Sequence, residues 1–558
     1  MLSKIRITKA SILFGFFLAC FIIIICRLFY LQVLDPFSLT ADYLKTRKIS
    51  PERGRVFDRN KEPVAMNQTT YQLFAEPKKI EEKDKIIRKL SEVLEIDQAS
   101  IEAKIQTDKF WVPIKNEIDK KTKEKIEALN LKGLGFDEEF RRFYPESSLS
   151  AHLMGFVGKN KDGDNLGYFG IEGFYEKDLV GLPGLVKSEQ DLAGRPIFFG
   201  TQKRIDPENG RDLILTIDKV VQQIVKNRLK NGLEKYQAKE GCVIVADPSN
   251  MEILALSCLP DFDPEKYYLF SGDYYKDPVI SNLYEPGSIF KPLIMAAAIE
   301  EKAIKPDEIY DEKGPVAIGE YTIRTWNNQY EGKISMTRIL EKSSNVGMVY
   351  IGEKLGKDKL YQYFEKYGLG ETTGIDLQGE EAGFLKPKSQ WYPIDFSTVT
   401  FGQGIALTPI QMIRAFASVI NGGKLYVPEM VKIMVSDNRE QNIKPKVERK
   451  IISEKTSEII KKMLVSSVDN GDAKWAKPKG YKIGGKTGTA QIPIQGHYDV
   501  SKTNASFIGF APVDNPKFIV LVVLNEPKSS PWGSETAAPL FFEIAKELIL
   551  YYNIAPDK

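Results

Sequence analysis

The segment Ala10–Cys26 is apolar apart from Ser11 and carries no charge, which restricts the folds open to this chain more than any other stretch. It is about the minimum length for a helix to cross a bilayer. Lys4, Arg6 and Lys9 precede it, and Arg27, Phe29 and Tyr30 follow. Basic residues before the run predict a cytoplasmic tail at residues 1–9, and aromatic residues at its far end suit a membrane interface. A cleaved leader has a shorter apolar core ending in small residues; here the side chains from Ile22 to Tyr30 are mostly bulky. The expectation is an uncleaved transmembrane anchor over residues 10–31, with the remainder of the chain extracytoplasmic. That corresponds to a single-pass membrane protein with its amino terminus inside.

A chain of 558 residues predicts two or three domains. Apolar residues at 42% and charged residues at 27% are those of folded domains with sizeable cores. A net charge of +3, dispersed along the chain, argues against a nucleic-acid partner. Of the four cysteines, Cys20 and Cys26 lie in the anchor. Cys242 and Cys258 flank Pro248-Ser249-Asn250-Met251, which reads as a hairpin turn. They can face each other as a disulfide or remain two buried thiols. No C-x-x-C pair or H-E-x-x-H motif occurs, so neither metal nor cofactor is expected.

Residues 32–205 read as an elongated support, or pedestal, domain containing β-structure. Ile86, Ile87, Leu90, Val93 and Leu94 fall at helical spacing, and Ile118, Ile126 and Leu129 predict a second helix. Arg53 to Asn60 reads as a charged turn with paired Arg and Asp, and Gly155–Gly158 and Gly167–Gly173 as glycine-punctuated strands. His152 falls among them and reads as structural, and His497 reads as a loop residue. Residues 206–558 form a second domain. Strands are expected at Val243–Ala246, Ile253–Leu256, Lys482–Ala490, Ala505–Ala511 and Phe518–Leu524, with a helical block after the second and a closing helix from Leu540 to Tyr552. This is an α+β fold, a five-stranded antiparallel sheet covered by helices.

Within the helical block stands Glu285-Pro286-Gly287-Ser288-Ile289-Phe290-Lys291-Pro292. Pro286 and Gly287 make a turn and an apolar helix follows, so Ser288 sits at a helix start with Lys291 one turn on. A serine becomes a nucleophile when a neutral amine takes its proton. Pro292 disfavours α geometry at Lys291, so the first turn should be distorted. Two further motifs follow in order: Ser343-Ser344-Asn345-Val346-Gly347 in a loop between helices, and Gly485-Lys486-Thr487-Gly488-Thr489-Ala490 on the third strand. Each is unremarkable alone; three in one domain are poorly explained by coincidence.

With these motifs the chain resembles the class B penicillin-binding proteins, whose signature is S-x-x-K, S-x-N and K-T-G. Arg53–Asn60, Arg141–Gly158 and Gly167–Gly173 look like the three pedestal motifs of that class, although Lys61-Glu62 stands where the first usually has a glycine. Glu285–Ser288, Ala505–Pro512 and Ala537-Ala538-Pro539 look most like the division-type, septal enzyme. The resemblance implies a serine-type D,D-transpeptidase. Ser288 would attack the D-alanyl-D-alanine bond of a stem peptide and release D-alanine. Lys291 would be the base, its pKa lowered by burial and by the charge of Lys486. Ser343 would relay a proton, and Asn345 would hold both substrate and Lys291. Thr487, Gly488 and Thr489 would bind the substrate, with Gly488 giving it access to the strand edge. The backbone N–H groups of Ser288 and Thr489 would form the oxyanion hole. An amine acceptor completes the cross-link, and β-lactams mimic the donor. A membrane glycosyltransferase and division-complex proteins are the implied partners.

Three catalytic alternatives use the same motifs: an elongation-type transpeptidase, a D,D-carboxypeptidase and a β-lactamase. A non-catalytic scaffold of a wall-synthesis complex is a fourth, from a different class.

Overall fold

The computed structural model describes residues 8–34, 44–161, 163–189, 202–436, 439–494 and 497–557. Most of the expected cytoplasmic tail, residues 1–9, therefore lies outside the described residues. Helix Lys9–Phe29 has 21 residues, none buried, and rises roughly 31 Å. With the turn that extends it to Val33, it is the one helix among the described residues long and apolar enough to cross a membrane. The chain groups into two compact units. One comprises Met1–Arg53, Gln68–Arg141 and Val180–Gly210; the other comprises Gly54–Asn67, Arg142–Leu179 and Arg211–Lys558.

In the first unit, helix Lys83–Leu94 buries Ile86, Ile87, Leu90 and Leu94 against a small core. The second helix expected around Ile118–Leu129 is shorter. Ile118 instead ends strand Val112–Ile118, and the helix runs Lys120–Glu127. The Asp119 carboxylate explains the boundary: it accepts from the Thr122 N–H at 2.6 Å, capping the helix just after the strand. A further helix, Gln98–Ile105, precedes that strand.

The second unit is built on the expected five-stranded sheet. Its strands are β1 (Glu240–Ala246), β2 (Ile253–Leu259), β3 (Gly484–Ile494), β4 (His497–Ala511) and β5 (Phe518–Asn525). They are ordered β2-β1-β5-β4-β3, and every neighbouring pair is antiparallel. Alternating side chains divide between two cores. Val243, Val245, Val520 and Val522 pack with helices α1 (Lys219–Tyr236) and α7 (Ala537–Tyr551). Ile244, Ala246, Ile519 and Leu521 face the larger core. That core contains α2 (Lys291–Glu300), α3 (Met336–Glu341), α4 (Asn345–Leu355), α5 (Pro409–Ile420) and α6 (Glu454–Asn470). The residues of α2 from Lys291 to Ile299 are all buried, as an apolar sequence without a polar face requires. Cys242 and Cys258 stand opposite each other on β1 and β2 and are joined as a disulfide.

The three motifs assigned to the pedestal are connected within this second unit. Arg142 donates to Glu172 at 2.6 Å, to the Gly54 carbonyl at 2.8 Å and to Asn67 at 3.1 Å. The Arg142–Glu172 pair is almost wholly excluded from solvent, so removing one partner would strand a buried charge. In the first motif Arg55 pairs with Asp212, an acid outside the motif, at 2.6 Å. Asp58 instead accepts the N–H groups of Asn60 and Glu62, both at 2.8 Å. Lys61 has φ of 65°, the left-handed region that glycine enters without penalty. That conformation accounts for a glycine preference at the position.

His152 is buried against the Phe262 ring, 5.7 Å between centroids. Burial pushes its imidazole down from 6.5 to about 4. Between those values the unfolded chain binds a proton that the folded chain refuses, so stability falls as pH drops through the window. His152→Gln should remove about 2 kcal/mol of that acid-dependent loss. Denaturant unfolding near pH 7 and about pH 4.5 measures it; identical pH dependence in the two proteins would exclude the buried neutral imidazole.

Candidate active site

Ser288 lies in a tight 3-10 turn, Gly287–Phe290, that runs directly into α2. The distortion expected of this turn falls before Lys291; Lys291 itself is helical, with φ −53° and ψ −39°. Pro292 is accommodated because the first turn of a helix needs no N–H donor there. Gly287 has φ of 57° and donates to the Gly402 carbonyl at 3.0 Å. A Cβ on Gly402 would fall 2.2 Å from the Gly287 oxygen, so the two backbones touch where no side chain fits. Ile289 and Phe290 are buried, whereas Ser288 lines a cavity of about 520 Å³.

Lys291 is fully buried. Its Nζ donates to the Ser343 carbonyl at 2.6 Å and to Asn345 Oδ1 at 2.8 Å, and it lies 3.2 Å from Ser343 Oγ. Burial first, and the Lys486 charge second, hold this amine well below its ordinary value, while Glu312 opposes them. A neutral amine has two N–H bonds, which the two carbonyl oxygens can take, and a lone pair left for a hydroxyl proton. That is the form a general base needs.

Lys486 comes from β3, at the sheet edge, and is also buried. Its Nζ donates to Ser343 Oγ at 3.0 Å, to the Thr487 carbonyl at 3.1 Å and to Thr487 Oγ1 at 3.2 Å. Burial lowers it to about 8, with Asp472 acting the other way. The Ser343 hydroxyl thus bridges two amines that come from a helix and a strand far apart in sequence. Ser343 holds this position with φ of 57°, a conformation unfavourable for a residue with a Cβ.

The loop that carries Ser343 is fastened by its neighbour. Ser344 caps α4, accepting from the Gly347 N–H at 2.8 Å, and its hydroxyl also pairs with buried Glu312. Nothing local in the sequence marked Glu312, which comes from strand Ile309–Glu312. Asn345 gives its oxygen to Lys291, and its Nδ2 donates to the Arg324 carbonyl at 3.2 Å.

Ser288, Ser343, Asn345, Thr487 and Thr489 all line the same cavity. Gly488 has a use beyond the access expected for it. A Cβ there would lie 2.2 Å from Ser506 Oγ and 2.9 Å from Ile289 Cγ2, so the glycine allows β3 to pack on the Ser288 turn. A Cβ on Gly287 would lie 3.2 Å from the Thr489 carbonyl oxygen, which brings the backbones around Ser288 and Thr489 close together. The Thr489 hydroxyl accepts from the Gly533 N–H at 3.0 Å. Trp326, Trp475 and Trp532 form a rim that sequence reading missed; the rings of Trp326 and Trp532 are 5.1 Å apart. These tryptophans are widely separated in sequence and have no shared local pattern.

Residues 241–546 match the family of penicillin-binding protein transpeptidase domains, and residues 48–215 match the penicillin-binding protein dimerisation domain. The chain is 35% identical to stage V sporulation protein D of Bacillus subtilis, over 98% of this chain and 86% of that protein. It is 30% identical to the probable peptidoglycan D,D-transpeptidase PenA of Neisseria gonorrhoeae, over 100% and 94%. It is also 30% identical to the peptidoglycan D,D-transpeptidase FtsI of Buchnera aphidicola, over 99% and 95%. Among solved structures, penicillin-binding protein 2X of Streptococcus thermophilus superposes with a TM-score of 0.77 at 23% identity, covering 91% of this chain and 80% of that one. With the fold, both matched domains and relatives spanning nearly its full length, this chain belongs to the class B penicillin-binding protein family.

Proposed function

We propose that the protein is a serine-type peptidoglycan D,D-transpeptidase that acts in septal wall synthesis. Two buried amines sharing Ser343 Oγ beside the Ser288 cavity carry this reading. Ser288 attacks the D-alanyl-D-alanine carbonyl, Lys291 takes its proton, and D-alanine leaves with a proton passed through Ser343. The Ser288 and Thr489 N–H groups stabilise the oxyanion; such donors typically contribute roughly 3–4 kcal/mol. Lys486 keeps Lys291 neutral and, with Thr487 and Thr489, receives the terminal carboxylate. Asn345 holds Lys291 and the substrate backbone, and Gly488 lets β3 reach the turn. An acceptor amine then takes the acyl group. β-Lactams acylate Ser288 in the same way.

Residues 1–9 form the cytoplasmic tail, 10–31 the anchor, 32–205 the pedestal and 206–558 the transpeptidase domain, held outside the cytoplasmic membrane. A membrane glycosyltransferase and division proteins are the partners. The identity to a protein named for sporulation supports a second reading, in which the septum served is a developmental one; the position of a tagged protein in vegetative and sporulating cells separates the two.

Fluorescent penicillin should label the wild type and not Ser288→Ala; labelling of Ser288→Ala would overturn the nucleophile assignment. Lys291→Met should slow acylation about a hundred- to ten-thousandfold. The acylation rate should rise with pH through the lowered value of Lys291 and fall again above about 8, where Lys486 loses its proton. A stopped-flow pH profile with no alkaline limb would refute the role of the Lys486 charge. Glu312→Ala leaves the buried Ser344 hydroxyl without its anionic partner and should cost about 1–3 kcal/mol of stability, measured by denaturant unfolding.

A further inference from the structure

A second groove opens beside the catalytic cavity. It has a volume of about 530 Å³ and lies between the turn Lys474–Ala476, the segment that leads to β3, and α7. Trp475 lines both hollows and is 64% exposed, so the two adjoin at its side chain. The groove has an apolar lining, with Pro478, buried Phe542 and exposed Leu550. Its cations are Lys235, Lys479 and Lys546. Lys235 is neutralised by Glu543 at 3.1 Å. Lys479 and Lys546 are exposed and have no ion pair among the described residues.

We propose that this groove binds the acceptor strand, a peptide bearing carboxylates and a free amine, while the Ser288 cavity holds the acylated donor. The inference rests on the transpeptidase reading and extends it. Such a reaction brings two peptides to one carbonyl, and a cavity of about 520 Å³ is of the size that one small ligand fills. A strand crossing Trp475 enters the catalytic cavity from the side, stacked on an exposed aromatic surface. Its carboxylates meet Lys479 and Lys546, which pair with no acid among the described residues, and apolar portions of the strand lie on Phe542 and Leu550. At the carbonyl the acceptor nitrogen forms the new C–N bond, the ester C–O bond to Ser288 breaks, and the amine proton returns to Ser288 Oγ. No other reactant is consumed.

The test uses the full chain in detergent and the double variant Lys479→Glu/Lys546→Glu, two exposed sites with no part in the donor chemistry. Three rates are compared: acylation by fluorescent penicillin, acyl transfer from a D-alanyl thioester to free D-alanine, and transfer to a synthetic stem pentapeptide with a free side-chain amine. The first two should stay within about twofold, while transfer to the pentapeptide falls at least about tenfold through its KM, as expected when two favourable charges become repulsive. Lys479→Arg/Lys546→Arg should restore it. Unchanged pentapeptide kinetics would overturn the groove assignment and leave the transpeptidase reading intact, with an acidic protein partner as the remaining occupant. Equal loss of all three rates would also overturn it, since the variant would then be acting on the fold. A wild-type chain that penicillin does not acylate would overturn both.

Discussion

Two lysine side chains, both buried, are hydrogen-bonded to one serine hydroxyl. Like charges this close in a poorly solvated site cannot both persist without great cost, so the pair settles by releasing a proton from one member. The environments decide which. Lys486 keeps two contacts to Thr487 and has Asp472 near it, and is lowered only to about 8. Lys291 is buried in the core, feels the Lys486 charge as well, and is held well below its ordinary value. The pair is thereby suited to hold one charged and one neutral amine, set apart by their surroundings.

That electrostatic asymmetry persists only if the backbone cannot relax. Three supports prevent relaxation. The Ser288 turn rests on Gly402, where a side chain would collide with the Gly287 carbonyl. The edge strand rests on the same turn through Gly488. The loop with its left-handed Ser343 is held by the Ser344 cap and its buried carboxylate. Each support joins elements from different parts of the second unit, so the site depends on completion of its sheet and helical core.

Much of this was legible before any coordinate. The candidate site residues stood out through short motifs, because a serine and a lysine one helical turn apart share a face and a strand edge needs small residues. The strands appeared because their side chains alternate between two cores, as Val243 and Ile244 do. Non-local contacts were not legible. Glu312 acts on a loop that it reaches only through the fold, and the tryptophan rim draws on three remote segments. The shortened helix after Ile118 was missed because its cap, Asp119, reads equally well as a solvated charge. Gly488 looked like an opening for substrate, when neighbouring protein atoms also forbid a larger residue there.

The strand bearing Lys486 lies at the margin of the sheet, with β4 on one side and, among the described residues, no further strand on the other. A margin of this kind engages whatever extended main chain is laid along it, through peptide groups common to every amino acid. Recognition built on such groups is indifferent to most side chains. A compact molecule that reproduces one amide and one carboxylate at the right separation therefore satisfies it as well as the polymer does. On the proposed function, susceptibility to small counterfeit substrates follows from this architecture, since they and the wall peptide would use the same edge.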